Sequence, residues 1–509
     1  MFRFRILLLL FFIEKGRTEN DIKQNVLLII ADDAGFQMGT YREKICQTPN
    51  LDILAKKSLI FNKAYTSVSS CSPSRSAILT GLPSHQNGMY GLHQGENHFN
   101  SFDEIVSLPQ VLGAAGIRTG IIGKKHVGPK ATYKFDYEQT EENNSILQVG
   151  RNITHIKLLV REFLSNKSKP FFLYVAFHDP HRCGHTNPEY GQFCEKFGNG
   201  EEGMGRIPDW TGIYYQPDEI ILPYYIPDTL EAKQDFAAQY TTMSRLDQGV
   251  GLVLKELEDA GFLNNTLIIY SSDNGIPFPN GRTNMYDSGV GIPMFISSPF
   301  HTERRYQVTN SLTSLLDIAP TVYEWFNISK NIFDKKYRLT GKSLLPLLEK
   351  EPSDTTKEAV FGSHNLHEVT MNYPMRMIRT QRYKLIHNIN YNAPFPIDQD
   401  FYLSPTFQGI LNRSRAHKDI RWYKKLSQYY YRKEWELFDL KHDSEELTNL
   451  AYNDTYKVIF KELKHRLFEW QNQTGDPWLC APHAVLENKG FFKNDPQCMP
   501  LDNEILQLY

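Results

Sequence analysis

Four short runs of the chain, residues 25–31, 118–122, 171–177 and 266–271, are rich in Val, Ile, Leu and Phe. Strands covered on both faces read this way, as near-continuous apolar runs without alternation. Helix-like segments separate them, so the first three quarters predict an α/β domain with a large, mostly parallel central sheet flanked by helices. After about residue 374 the pattern changes. Residues 382–389 and 435–440 read as strands of a smaller antiparallel sheet within a segment rich in Tyr and turns. The division predicted is therefore a large domain over 21–374 and a smaller C-terminal α+β domain over 375–509. Ahead of both, Arg3 and Arg5 precede the apolar run 6–13, and polar residues follow at once. Such a run is far shorter than the roughly 20 residues that span a bilayer, and it fits the core of a secretory signal peptide, assigned to residues 1–20. No later run is long enough to cross a membrane, so none is expected to.

Composition narrows the choice. At 509 residues the chain is too long for one simple core. Its formal net charge of −2 excludes a global polycation, and with it nucleic-acid binding of the basic-patch kind. A polyanionic ligand would have to be held by a local positive site. Eight Asn-x-Ser/Thr sequons, at Asn143, Asn152, Asn166, Asn264, Asn327, Asn412, Asn453 and Asn472, agree with a secreted glycoprotein. Of the six cysteines, the close pairs Cys183/Cys194 and Cys480/Cys498 are natural disulfides in an oxidising compartment. Cys46 and Cys71 are left over, and Cys46 is expected to be a free thiol.

Each apolar run of the large domain ends in chemically able residues. The first leads into Asp32-Asp33, the second into Gly123-Lys124-Lys125-His126, the third into His178-Asp179-Pro180-His181 and the fourth into Asp273-Asn274-Gly275. Open α/β sheets bind ligands beyond the carboxyl ends of their strands, so four such clusters suggest one shared site. Asp32, Asp33, Asp273 and Asn274 form an all-oxygen set that suits a hard cation such as Ca²⁺ better than zinc. Residue 71 opens a helix-like stretch that ends at Gly81, with Pro73 in its first turn. That places Cys71 where a helix N-terminus favours an anion, with Arg75 four residues on and on the same face. From these residues alone Cys71 is equally a buried structural thiol, a reactive thiolate or a precursor of something else.

Cys71-x-Pro73-x-Arg75 followed by Thr80-Gly81 resembles the signature of the sulfatase family, in which the cysteine is oxidised to formylglycine during secretion. Asp32-Asp33, Gly123-Lys124 with His126, and Ser272-Asp273-Asn274-Gly275 resemble further sulfatase blocks in sulfatase order. Glu436-Leu437-Phe438-Asp439-Leu440, with Asp443, Glu446 and Asn449-Leu450, is similar to the family's C-terminal motif. The likeness runs from Asn25 to about Leu501. Runs 67–74, 88–93, 121–129, 178–184, 204–210, 367–371, 373–376 and 395–401 resemble more narrowly the heparan N-sulfatase branch.

The resemblance implies an alkaline-phosphatase-like fold and one Ca²⁺ per chain on Asp32, Asp33, the modified Cys71, Asp273 and Asn274. A hydrated formylglycine at position 71 would attack sulfur, and its second hydroxyl would later allow sulfate to leave. Arg75, Lys124 and Arg282 would contact sulfate oxygens. His126 would be the base for release and His181 the acid for the leaving nitrogen, charged at lysosomal pH. Asp179, His367 and Glu368 would recognise the sugar. The implied substrate is the non-reducing end of heparan sulfate, the implied partner in maturation the formylglycine-generating enzyme, the state a homodimer and the compartment the lysosome. An O-sulfatase, a phosphodiesterase of the same superfamily and a non-catalytic glycan binder are the competing readings.

Overall fold

The computed structural model describes residues 24–94, 98–184, 190–329 and 338–501. The expected signal peptide lies outside them. Among the described residues no helix is long and apolar enough to cross a membrane.

The large domain is built on a nine-stranded sheet. In chain order its strands are β1 (Asn25–Ala31), β2 (Leu59–Tyr65), β3 (Arg118–Gly123), β4 (Tyr137–Thr140) and β5 (Phe171–Ala176). They continue as β6 (Thr266–Ser272), β7 (Gly291–Ser297), β8 (Val308–Thr309) and β9 (Thr313–Ser314). The spatial order is β4-β3-β5-β1-β6-β7-β2-β8, with β9 also paired to β2. From β4 through β6 every pairing is parallel, and β7 is antiparallel to both its neighbours.

The lack of alternation in the first apolar run has a direct cause. Leu27 and Ile29 face one hydrophobic core, while Val26, Leu28 and Ile30 face another on the opposite side of the sheet. The first core is closed by the helices Ile153–Ser165 and Leu230–Asp259, the second by Cys71–Thr80 and Ile318–Trp325. In Ile153–Ser165 the buried positions Ile153, Ile156, Leu159, Val160, Phe163 and Leu164 follow helical spacing. Burial of each such side chain contributes roughly 1.5–3 kcal/mol.

The second sheet contains β10 (Ala359–His364), β11 (Met375–Thr380), β12 (Tyr383–Asn388) and β13 (Trp435–Asp439), all antiparallel. It begins ahead of the boundary expected at residue 374, because β10 pairs with β11 and not with the large sheet. One face carries Ile378, Leu385 and Leu437 onto the helix Lys457–Gln473. The other packs Met375, Met377 and Ile386 against Tyr65, Met285 and Val290 of the large domain. That second face joins the smaller sheet to the large domain.

Both expected disulfides, Cys183–Cys194 and Cys480–Cys498, are formed, and Cys46 is a buried free thiol. Seven of the eight sequon asparagines are exposed; Asn152 is half-buried, and its side chain caps the helix that follows.

Candidate active site

Strand register brings the four clusters together. β1 and β6 pair with Ala31 opposite Ser272, so Asp32-Asp33 and Asp273-Asn274 emerge side by side. β3 and β5 pair with Gly123 opposite Ala176, which sets Lys124 and His126 beside His178 and His181. Since β3, β5, β1 and β6 are consecutive in the sheet, all four ends share one rim. Asp33 adopts a left-handed backbone (φ 60°), and its N–H donates to Asp273 Oδ1 at 3.1 Å. The turn after β1 is thereby tied to the turn after β6.

The helix Cys71–Thr80 points its N-terminus at this rim. Gly81 ends it with φ 71°, a conformation that favours glycine, and its N–H returns to Ala77 O. Ser74 Oγ donates to Asp273 O at 2.6 Å, fixing the helix to the end of β6. Cys71 is 2 % exposed. As a thiol it is pushed well above the usual cysteine range by burial and by Asp32, Asp33 and Asp273, against the pull of Lys124. That field disfavours the thiolate.

Around Cys71 the charges interlock. Arg75 pairs with Asp32 at 3.1 Å and Asp273 at 2.8 Å, and Lys124 Nζ lies 2.6 Å from Asp32 Oδ2. Arg282 contacts Asp33 Oδ2 at 2.6 Å and His181 Nε2 at 2.8 Å, and its other terminal nitrogen is gripped by Asp398 and Asp400. Lys124 thus holds Asp32 and Arg282 holds Asp33. Burial nevertheless lifts Asp33 and Asp273 far above the usual carboxylate range, whereas Asp32, facing Lys124, His181 and Arg75, stays well below it.

A divalent cation fits this under-compensated cluster. Donor atoms of Asp32, Cys71 and Asp273 lie within 4.8 Å of one another, as do those of Asp33, Cys71 and His181. Asn274 Oδ1 is buried with no hydrogen-bond partner, and Asp273 Oδ2 has only an unaligned ion pair with Arg75. Buried oxygens left in this state are what a hard cation satisfies.

Cys71, Lys124, His126, His181 and Arg282 line a cavity of about 380 Å³ with His93, Gln94, Glu141, His178, Tyr190, Glu368, Asp398 and Asp400. His126 is pushed well below the ordinary imidazole range by burial, Lys124 and Arg75. Its Nδ1 is buried without a partner among the described residues. His181 Nδ1 donates to Arg182 O at 2.7 Å, leaving Nε2 toward the cavity. Burial and Lys124 push His181 well below the ordinary imidazole range. An anionic substrate opposes that shift.

Two expected sugar contacts are placed differently. Asp179 does not line the cavity: its carboxylate is held by Arg151 and by Arg245 at 2.7 and 3.0 Å, where it braces the β5 turn. His367 touches the cavity, but both ring nitrogens have protein partners, Ser70 at 2.8 Å and Asp398 at 3.0 Å. Glu368 stays at the wall, bonded to Gln94 Nε2 at 2.5 Å. Sequence reasoning missed Asp398 and Asp400 as partners of Arg282, although Asp398 and Asp400 fall in the resembling run 395–401. It also missed Glu141, whose Oε1 lies 2.6 Å from His178 Nδ1. No local signal marks Glu141.

Comparison with known proteins places this arrangement. A Sulfatase family model matches residues 24–328, and a model of the N-sulphoglucosamine sulphohydrolase C-terminal region matches 281–401. Human N-sulphoglucosamine sulphohydrolase is 58 % identical over 95 % of this chain and 96 % of its own. An ulvan-active sulfatase of Formosa agariphila is 27 % identical over 96 % of this chain and 82 % of its own. Among solved structures, one in complex with D-glucosamine-2-N,6-O-disulfate aligns with TM-score 0.62 and 21 % identity over 89 % of this chain and 99 % of that one. A phosphonate monoester hydrolase of Agrobacterium radiobacter aligns at 0.60 and 17 %, over 93 % and 99 %, so the fold alone does not choose the chemistry. The family model spans more than half the chain and the human enzyme is similar almost end to end: this chain belongs to the sulfatase family.

Proposed function

We propose that this chain hydrolyses the N-sulfate of a non-reducing terminal glucosamine during heparan sulfate breakdown, with residue 71 as formylglycine. The observation that carries the reading is the similarity to human N-sulphoglucosamine sulphohydrolase along both chains. The cavity supports it chemically. A sulfamate is anionic at sulfur and leaves through nitrogen, so it needs charge neutralisation, a strong nucleophile and a proton donor.

Residue 71 sits at the helix N-terminus, and Lys124 and Arg282 line the same cavity, where they would hold sulfate oxygens. His181 Nε2 accepts from Arg282 in the free cavity. Once the anionic sulfamate engages Arg282 and offsets the burial, Nε2 would take up a proton and pass it to the nitrogen, which leaves as an amine. His126, held neutral by its surroundings, takes a proton from the hydrated residue 71 when sulfate is released. Asp32, Asp33, Asp273 and Asn274 would hold the cation, Ca²⁺ by the hardness of the oxygen set; when bound it supplies Lewis acidity at the nucleophile. Arg75, wholly enclosed by Asp32, Asp273 and Lys124 O, orders those carboxylates in place of direct substrate contact. Glu368 and Gln94 form a polar wall for sugar hydroxyls. Lysosomal residence, a homodimer and maturation by the formylglycine-generating enzyme complete the reading.

The test is release of sulfate from N-sulfated and 6-O-sulfated glucosamine at acid pH by the purified enzyme. Faster turnover of the O-sulfated sugar overturns the substrate assignment.

A further inference from the structure

The segment between β10 and β11 buries His367 against the start of the nucleophile helix, with its side chain 3 % exposed. Ser70 is the N-cap residue of that helix, in extended conformation (φ −165°). A serine there ordinarily offers its oxygen to an N–H of the first turn. Ser70 makes no such bond. Its hydroxyl lies instead 2.8 Å from His367 Nδ1. On the other side of the ring, Nε2 is 3.0 Å from Asp398 Oδ2, an oxygen that also accepts from Arg282. A neutral ring with its proton on Nε2 satisfies every partner, Ser70 donating to Nδ1 and Nε2 donating to Asp398. The backbone is clamped as well. His367 O accepts from Leu92 N at 2.9 Å, and a Cβ on Gly91 would come within 2.8 Å of that carbonyl.

We propose that His367 is a positioning residue: it braces Ser70, beside the nucleophile, against Asp398 and so sets how Arg282 faces residue 71. The proposal deepens the sulfamate-hydrolase reading and rests on it. A brace of this kind links two elements that the chain supplies far apart, the N-terminal end of one helix and the 395–401 segment of the smaller domain. It also explains why both nitrogens are consumed by protein, leaving none for a sugar hydroxyl.

The experiment uses the full, formylglycine-bearing enzyme and the variants His367→Ala, His367→Gln, Ser70→Ala and Asp398→Asn. It reads kcat/KM on N-sulfated glucosamine and the inhibition constants of inorganic sulfate and of glucosamine. Losing the brace misplaces Arg282, and misplacements near 1 Å cost about 100-fold in rate. His367→Ala should therefore lose about 100-fold in kcat/KM and bind sulfate more weakly, with glucosamine inhibition unchanged. His367→Gln, which keeps a donor toward Asp398, should recover part of the loss. Ser70→Ala, which leaves the imidazole in place, should show the same pattern more weakly and covers the case in which His367→Ala does not fold. In the Asp398→Asn background, His367→Ala should add little, because one brace has already been cut. Weakened glucosamine inhibition with sulfate unaffected, or fully multiplicative losses in the double variant, overturns the proposal. A parent enzyme inert toward N-sulfated glucosamine, whose sulfate affinity still falls on His367→Ala, would sink the substrate reading and leave the brace standing.

Discussion

Replacing Arg75 by methionine tests whether the carboxylates under the nucleophile are held as ion pairs. The guanidinium is fully buried, 3.1 Å from Asp32 and 2.8 Å from Asp273, and it donates to Lys124 O at 2.8 Å. Methionine fills much of the volume and supplies no charge. Asp32 would keep Lys124 at 2.6 Å, whereas Asp273 would keep no ion-pair partner among the described residues. Removing one member of a buried pair costs about 3–5 kcal/mol. The pH dependence follows from Asp273, whose carboxyl burial already holds above the usual range. A carboxyl raised in the folded state contributes stability that is complete below the ordinary carboxylate range and is lost as pH rises through the raised value. Without Arg75 the value rises further, so the added loss accrues only above about 8, and the Arg75→Met defect should reach about 3–5 kcal/mol near pH 9.5. At pH 5 Asp273 is protonated and the ionised Asp32 still has Lys124, so the defect is smaller, about 1–3 kcal/mol. Urea unfolding followed by tryptophan fluorescence, in chelator at both pH values, measures the difference. An equal defect at the two pH values, or one below about 1 kcal/mol at pH 9.5, would falsify the paired-charge account.

Further expectations are as direct. Cys71→Ala should abolish sulfate release, and the parent's residue-71 peptide should react with a hydrazide; an unreactive peptide from active enzyme would exclude the aldehyde. Ca²⁺ at about 100 times its dissociation constant should stabilise the parent by about 2.7 kcal/mol, and Asp273→Ala should erase the melting shift. His85, buried between Ser363 Oγ and Thr474 Oγ1, is pushed down to about 4 by burial, so it folds neutral. The unfolded chain binds that proton first as pH falls from about 6.5, so folding should lose about 2 kcal/mol by pH 5, a slope that His85→Gln should remove in paired urea titrations. Replacing Cys183 and Cys194 together by serine frees the loop that carries Gly184 and Tyr190 into the cavity wall. KM should rise more than kcat falls; unchanged KM would show that the loop plays no part in holding substrate.

The candidate site was legible where chemistry sits beside a strand. Asp32-Asp33, Lys124, His126, His181 and Asp273-Asn274 each follow an apolar run directly, and parallel pairing of those runs leaves their ends on one rim. The nucleophile helix was legible from Cys71, Pro73 and Gly81, because its start and stop are local matters of φ and of unsatisfied N–H groups. The start of the second sheet was not, since β10 reads as an edge element until its partner β11 is known.

What the sequence determined by itself is the set of reacting groups and the strand or helix end on which each is mounted, because those depend on neighbours a few residues away. Tertiary structure decided the orientation of the rest. Asp179 turned from the cavity to Arg151 and Arg245, His367 was consumed between Ser70 and Asp398, and Asp398 and Asp400 closed on Arg282. The reason is physical: a buried charge or imidazole must find a partner, and here each partner comes from a segment distant in the chain, which no local pattern encodes.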